Sequence, residues 1–273
     1  MKFLNFKIST FSIIFLGFVF TLSSCDDDET QTVTTKFNLV MEDNFDVNGA
    51  PNPQNWTYDI GAGGWGNNEL QYYTDRPENV IVQNGYLIIT AIKEPYGGAS
   101  YTSTRLKTKG KFDQKYGRFE ARVKLPQGKG IFPAFWMLGS NFDQVGWPQC
   151  GEIDIMEYLG NKPTEVFGTI HGPGFSGGNS ISKKYALTND RFDLDFHVFG
   201  VEWNENYINW YVDNVLYNQI TREKVEDKGG QWVFDNSFFM LLNLAVGGNL
   251  PGSPDTNTTF PQRMIVDYVK VYK

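Results

Sequence analysis

Two cysteines and two histidines are all that the 273 residues contain. Two thiols cannot build a disulfide framework, so the fold must be held by a packed core. Two imidazoles leave little room for chemistry that needs histidine clusters, as metal ligands or as bases beside a nucleophile. Cys150 has neither histidine near it in sequence and reads as a buried structural thiol. Positive charge is also short: 24 Lys and Arg against 31 Asp and Glu leave a net charge of -7. That balance argues against nucleic acid and heavily sulfated polymers as partners, because both want basic grooves. Convincing helical periodicity is absent, and no apolar run reaches the roughly 18 residues that a membrane-spanning helix requires.

What is abundant points to sheets. Aromatics make up 16% of the chain and glycines number 28, a combination suited to strands joined by tight turns, with most rings filling a core. Residues 79–83 and 86–90 flank Asn84-Gly85, the favoured hairpin turn. Residues 117–124 alternate apolar and charged side chains, as a half-solvated strand should. Residues 207–212 and 215–217 form a second hairpin across Asp213-Asn214, residues 238–246 a long apolar strand, and residues 264–272 a last one. Short strands with frequent turn signals predict an all-β sandwich or barrel.

The N-terminal segment is set apart. Lys2 and Lys7 precede an apolar run from Phe11 to Phe20 and the small-residue stretch Leu22-Ser23-Ser24-Cys25. That order reads as a signal peptide over residues 1–24. Its Leu-Ser-Ser-Cys end resembles a bacterial lipoprotein box, which implies lipidation of Cys25 and export to the outer membrane, anchored without spanning it. The acidic run from Asp26 to Glu29 is similar to a surface-export signal of some Gram-negative lipoproteins and also reads as a solvated tether. Residues 25–35 are then a flexible acidic linker. Residues 36–273 read as one domain, without an internal repeat, and as a monomer.

The chemistry concentrates in Glu152-Ile153-Asp154-Ile155-Met156-Glu157. On a regular strand Glu152 and Asp154 share one face while Ile153 and Ile155 enter the core. Glu157 would turn inward with the isoleucines, where an unpaired carboxylate is costly. One extra residue near Ile155-Met156, a β-bulge, returns Glu157 to the acidic face. Three crowded carboxyls raise at least one pKa. Glycoside hydrolysis needs that division, with one ionised carboxylate and one protonated carboxyl. Backbone rise alone separates the two Glu Cα atoms by roughly 13 Å, so strand curvature and side-chain reach must close the gap to the ~5–5.5 Å of a retaining site.

These residues resemble the bulged signature of glycoside hydrolase family 16, and the laminarinases within it most. The similarity extends through residues 64–74, 101–105, 132–138, 146–148, 196–203 and 242–249. It implies a concanavalin A-like jelly roll of two antiparallel sheets with a concave substrate cleft, and a retaining endo-hydrolase of β-1,3-glucan needing no catalytic cofactor. By the same resemblance Glu152 is the nucleophile, Glu157 the acid and base, and Asp154 the residue that tunes them. Trp136 and Trp147 would stack on sugar rings or else pack in the core, Asn67 and Arg105 would bond hydroxyls unless Arg105 only pairs with an acid on a neighbouring strand, and His171 would face the cleft or serve as a structural hydrogen-bonder. A structural Ca²⁺ would take Asp267, Glu42 and the Gly85 carbonyl, hard oxygen donors that suit it. A glycan-binding lipoprotein without activity is the reading from another class; mixed-linkage glucan or a galactan are the other substrates.

Overall fold

The computed structural model describes residues 38–273; the expected signal peptide, the tether and Cys25 lie outside the described residues. Turn chemistry sets the hairpins. Asn84 and Gly85 both take positive φ, 55° and 79°, and join Val80–Gln83 to Tyr86–Ala91 with Gln83 opposite Tyr86. Asp213 and Asn214, at φ 51° and 65°, do the same between Tyr207–Val212 and Val215–Thr221. Residues that tolerate the left-handed region occupy both central positions, and the resulting twist matches that of the flanking strands.

Two sheets follow. The first runs Val215–Thr221, Tyr207–Val212, His197–Trp203, Gly117–Lys124, Gln262–Tyr272, Tyr86–Ala91, Val80–Gln83, with Leu39–Asp43 also pairing with Gln262–Tyr272. The second runs Ile181–Ala186, Glu165–His171, Glu152–Tyr158, Ile131–Gly139, Phe238–Val246, Arg105–Lys107, Thr57–Asp59. Neighbours pair antiparallel throughout both sheets. This is the jelly-roll sandwich that the sequence implied, with the carboxylate strand third from one edge of its sheet.

Alternation places the core between the sheets. Phe119, Ala121 and Val123 face inward from one sheet, and Phe135, Met137, Ile153 and Ile170 from the other, all fully buried. Each large apolar side chain so buried contributes ~1.5–3 kcal/mol. Phe238–Val246 is buried at every position, because its second face is covered as well. Phe239 and Leu241 pack with Leu138 and Cys150, and burial pushes the Cys150 thiol up to about 11, where it is inert.

One contact ties the first sheet to the carboxylate strand. Trp210 is fully buried, and its Nε1 donates to the Asp154 carbonyl at 2.8 Å. The indole passes directly over Gly168, where any Cβ would come within 2.4 Å of Trp210 Cδ1 and 2.5 Å of the Tyr217 hydroxyl. Only glycine admits that approach. The structure also adds what periodicity did not show: a helix over Arg222–Asp227. It is too short for a stripe, holds a single buried residue, Val225, and is started by Thr221 Oγ1 accepting from the Lys224 amide at 3.2 Å.

Candidate active site

The bulge falls where the carboxylates require it. Toward Ile131–Gly139, Asp154 faces Trp136 and Met156 faces Phe135. Toward Glu165–His171, Asp154 faces Thr169 and Glu157 faces Phe167. On both sides the carboxylate strand takes one residue more than its neighbour between positions 154 and 157. Ile155 and Met156 are both buried, and Glu157 returns to the face of Glu152 and Asp154. Across that face Glu152 lies between Leu138 and His171, Asp154 between Trp136 and Thr169, and Glu157 between Ala134 and Phe167.

Each carboxyl has a different set of partners. Trp147 Nε1 donates to Glu152 Oε2 at 2.7 Å. Thr169 Oγ1 donates to Glu157 Oε2 at 2.7 Å and meets Ser182 Oγ at 2.9 Å. Asp154 Oδ2 is buried with no hydrogen-bond partner and lies 3.3 Å from His171 Nε2. Burial is the largest cause raising all three carboxyls. The charge of Asp154 adds to it at Glu152, and that of Glu157 adds to it at Asp154. Thr169 acts the other way on Glu157, as Trp147 and His171 do on Glu152. Crowded, desolvated acids with unequal donors titrate apart, as acid–base chemistry requires.

Glu152, Asp154 and His171 also bring donor atoms within 4.8 Å of one another, a spacing that would suit a metal. The histidine is set the wrong way for one. Gly177 N–H donates to His171 Nδ1 at 3.1 Å, so the proton of the neutral ring sits on Nε2, the nitrogen facing the acids. A ligating histidine instead turns its bare nitrogen to the metal and its N–H outward.

Residues 65–270 match the model of the Glycosyl hydrolases family 16. The chain belongs to that family. It is 44% identical over 248 residues to the beta-glucanase of Rhodothermus marinus, covering 86% of this chain and 85% of that protein. It is 38% identical to a glucan endo-1,3-beta-glucosidase of Cryptopygus antarcticus, covering 85% and 90% of the two. The laminarinase catalytic domain of Thermotoga maritima superposes with a TM-score of 0.84 at 50% identity, over 88% of this chain and 99% of that one. By family the chain is a glycoside hydrolase, and the geometry above brings together carboxyls of the kind that chemistry uses.

The side chains expected along the family 16 cleft are placed unequally. Trp147 is 44% exposed, with its ring 5.9 Å from that of His171. Trp136 is half-buried on the row of Asp154, and its Nε1 donates to Asn243 Oδ1 at 2.7 Å. The Arg105 guanidinium lies 4.7 Å from the Trp136 ring and 5.1 Å from that of Trp65, while its Nε pairs with Asp59 Oδ2 at 3.0 Å. It therefore pairs with an acid on the neighbouring strand and braces two indoles. Asn67 donates to Glu69 Oε1 at 3.3 Å and accepts from the Asn249 amide at 3.1 Å, which fixes a loop at the end of the second sheet.

Sequence reasoning missed Thr169, although Thr169 and His171, two apart, necessarily share a face. It also missed Glu69, a carboxyl raised by burial that accepts from Gln71 Nε2 at 2.8 Å and Tyr73 Oη at 3.1 Å. Tyr73 Oη in turn accepts from Asn243 Nδ2 at 3.2 Å. No local pattern announces a network whose members lie as far apart as residues 69 and 243.

The proposed calcium donors are occupied by cations. Glu42 Oε1 lies 2.9 Å from Lys270 Nζ, and Asp267 Oδ2 lies 2.6 Å from Arg122 Nη1; Gly85 sits in its hairpin turn. A Ca²⁺ ion would have to displace both side chains, so the donors as arranged do not fit it.

Proposed function

We propose that the protein is a retaining endo-hydrolase of β-1,3-glucan, with Glu152 as nucleophile and Glu157 as acid and base. The observation that carries this reading is the bulge, which puts three carboxyls on one face beside Trp136 and Trp147, Asp154 buried and Glu152 and Glu157 half-buried. The relatives, by name a beta-glucanase, a glucan endo-1,3-beta-glucosidase and laminarinases, support the choice of polymer. Glu152 attacks the anomeric carbon as the glycosidic bond breaks, and Glu157 gives its proton to the leaving oxygen. Glu157 then takes a proton from water, whose oxygen attacks the same carbon and releases the Glu152 carboxylate. Glu157 begins protonated because burial raises it. Burial and the charge of Asp154 raise Glu152 as well, so its attacking form must be favoured by donors, and Trp147 is one.

Reducing-sugar release from laminarin, beside lichenan, agarose and carrageenan, tests this reading. Cleavage of laminarin supports it, cleavage of another polymer alone replaces the substrate, and binding without cleavage of any gives way to a glycan-binding role.

Thr169 supplies a smaller prediction. Its hydroxyl donates to Glu157 and favours the carboxylate, so Thr169→Val raises the pKa of Glu157 further. The acid must be protonated for the first step, so the basic limb of kcat/KM moves to higher pH. An unmoved limb in a pH–rate profile would separate Thr169 from the acid.

Lipidation at Cys25, a linker over residues 25–35, a monomeric domain over 36–273 and an outer-membrane location belong to the same proposal. A membrane-anchored hydrolase meets a polymer too large to enter the cell. Labelling with a radioactive fatty acid, lost in Cys25→Ala, checks the anchor. A structural Ca²⁺ at Glu42, Gly85 and Asp267 requires displacement of Lys270 and Arg122. If it binds, millimolar Ca²⁺ raises the melting temperature and chelator reverses the rise; an unchanged temperature removes calcium from the reading.

A further inference from the structure

Glu69 bridges to Gly247 just past the end of Phe238–Val246, a strand that lies two away from the carboxylate strand. The half-buried carboxyl accepts three hydrogen bonds. Gln71 Nε2 and Tyr73 Oη reach its Oε2 at 2.8 and 3.1 Å, and Asn67 Nδ2 reaches its Oε1 at 3.3 Å. Burial raises this carboxyl, and those donors together with the charge of Arg105 oppose the rise. Gln71 cannot turn away, because its Oε1 accepts from the Val246 amide at 2.8 Å. Gln71, Tyr73 and Asn243 are all buried.

The direction of each bond follows from the carboxylate. A carboxylate only accepts, so the Tyr73 hydroxyl proton points at Glu69 and its lone pairs are left to a donor. Asn243 Nδ2 is that donor, at 3.2 Å. With Nδ2 spent on Tyr73, Asn243 turns Oδ1 to Trp136 and accepts from its Nε1 at 2.7 Å. A reversed amide would set Nδ2 against the indole N–H and a carbonyl against the tyrosine lone pairs. Burial makes both mismatches costly. The relay ends at the acids, since Trp136 lies opposite Asp154, and Asn243 lies opposite Ala134, which faces Glu157.

We infer that Glu69 is a positioning residue for the cleft, its carboxylate fixing the polarity of a Tyr73–Asn243 relay that holds the Trp136 indole beside the catalytic acids. The held indole also keeps its place against Arg105, whose guanidinium lies 4.7 Å from the Trp136 ring. A sugar ring resting on Trp136 is registered against Glu152 and Glu157 by the setting of that indole. A misplacement of about 1 Å at a reacting centre costs about 100-fold, so a remote carboxyl can act on the rate without touching substrate. The inference rests on the reading of the concave face as a glucan cleft.

Its first test needs no substrate. The chain has seven tryptophans, so a ¹H–¹⁵N spectrum holds seven indole N–H signals, and Trp136→Phe assigns one of them. Tyr73→Phe keeps the ring and deletes the relay hydroxyl. The Trp136 N–H should then exchange with solvent at least about 10-fold faster than in wild type, as a hydrogen bond that has lost its support does. An unchanged exchange rate overturns the inference. The second test is kinetic. Glu69→Leu removes the acceptor and should lower kcat/KM on laminarin by about 10–100-fold. Glu69→Gln should recover most of that loss, because its carbonyl can take the place of Oε2, where Gln71 and Tyr73 both donate. A Gln variant as poor as Leu would mean that Glu69 acts by its charge on Arg105, and the relay falls. Tyr73→Phe carries the kinetic test if Glu69→Leu does not fold, with a loss of about 10-fold. In a Trp136→Phe background the same change should cost nothing further, since no indole N–H remains to be placed. Full additivity of the two changes would end the proposal. An inactive wild type would instead strike the function while leaving the exchange result standing.

Discussion

Glu157→Ala loses about 10³-fold in laminarin hydrolysis, the scale of losing a general acid, but the loss depends on the leaving group. A glucan oxygen leaves as an alkoxide unless it is protonated, whereas an activated aryl oxide leaves unaided. With an aryl laminaribioside the first step therefore stays near wild-type rate, and the glycosyl-enzyme accumulates because no base activates water. Azide, which needs no base, then restores turnover and gives the β-glycosyl azide. That configuration is the decisive readout, because two inversions at one carbon require a covalent intermediate. An α-azide, or a loss that is the same for both substrates, would remove Glu157 from the acid–base role. The pH profile follows with its sign fixed. Glu157 must begin protonated, so wild-type kcat/KM falls as pH rises through its raised pKa, and the variant lacks that basic limb.

The strand pattern, the two asparagine-bearing hairpins and the acidic face were legible in the sequence because each is local. A period of two, a turn that needs positive φ, and a carboxylate that cannot be buried alone are properties of short segments. The bulge was legible for the same reason: only one extra residue reconciles Glu157 with Glu152. The interactions that make the three acids unequal were not. Trp147 reaches Glu152 through a loop, Thr169 reaches Glu157 from the next strand, and Trp210 crosses from the other sheet to the Asp154 carbonyl. Such contacts depend on register and loop path. Arg105 shows the limit most plainly, since its pairing with Asp59 requires knowing that Thr57–Asp59 lies beside Arg105–Lys107. The calcium donors meet cations for a related reason. Their oxygen chemistry suits the ion, but strand pairing puts Lys270 opposite Glu42, and Asp267 meets Arg122 from the neighbouring strand.

Glu152→Gln should show the largest single loss of activity and, at the same time, a more stable protein. Without the carboxylate no glycosyl-enzyme forms, so laminarin hydrolysis falls by about 10⁴-fold or more, and the activated aryl substrate brings no rescue. A 2-fluoro laminaribiosyl fluoride should label wild type at Glu152, mapped by peptide mass, and leave the variant unlabelled. Label on another residue would reassign the nucleophile. Stability moves the other way because the native site holds Glu152 well above its ordinary pKa of 4.5, first by burial and then by the charge of Asp154. An acid whose folded pKa exceeds its unfolded one binds its proton more tightly in the native state, so it destabilises the fold as pH rises above the unfolded value. Below about pH 4.5 both states are protonated and the variant gains nothing. As pH climbs through the window up to the raised native pKa, the advantage of the neutral amide grows, and above it the advantage is constant. Calorimetry at pH 4 and pH 7 should therefore show the two proteins melting together in acid and the variant several degrees higher at neutrality, about 2–4 °C for each kcal/mol in a domain of this size. Equal melting at both pH values would mean that the donors around Glu152 fully offset its burial. A site that is strained by its own charges, and relieved when the charge that does the chemistry is removed, is what crowded catalytic carboxyls on one bulged strand must produce.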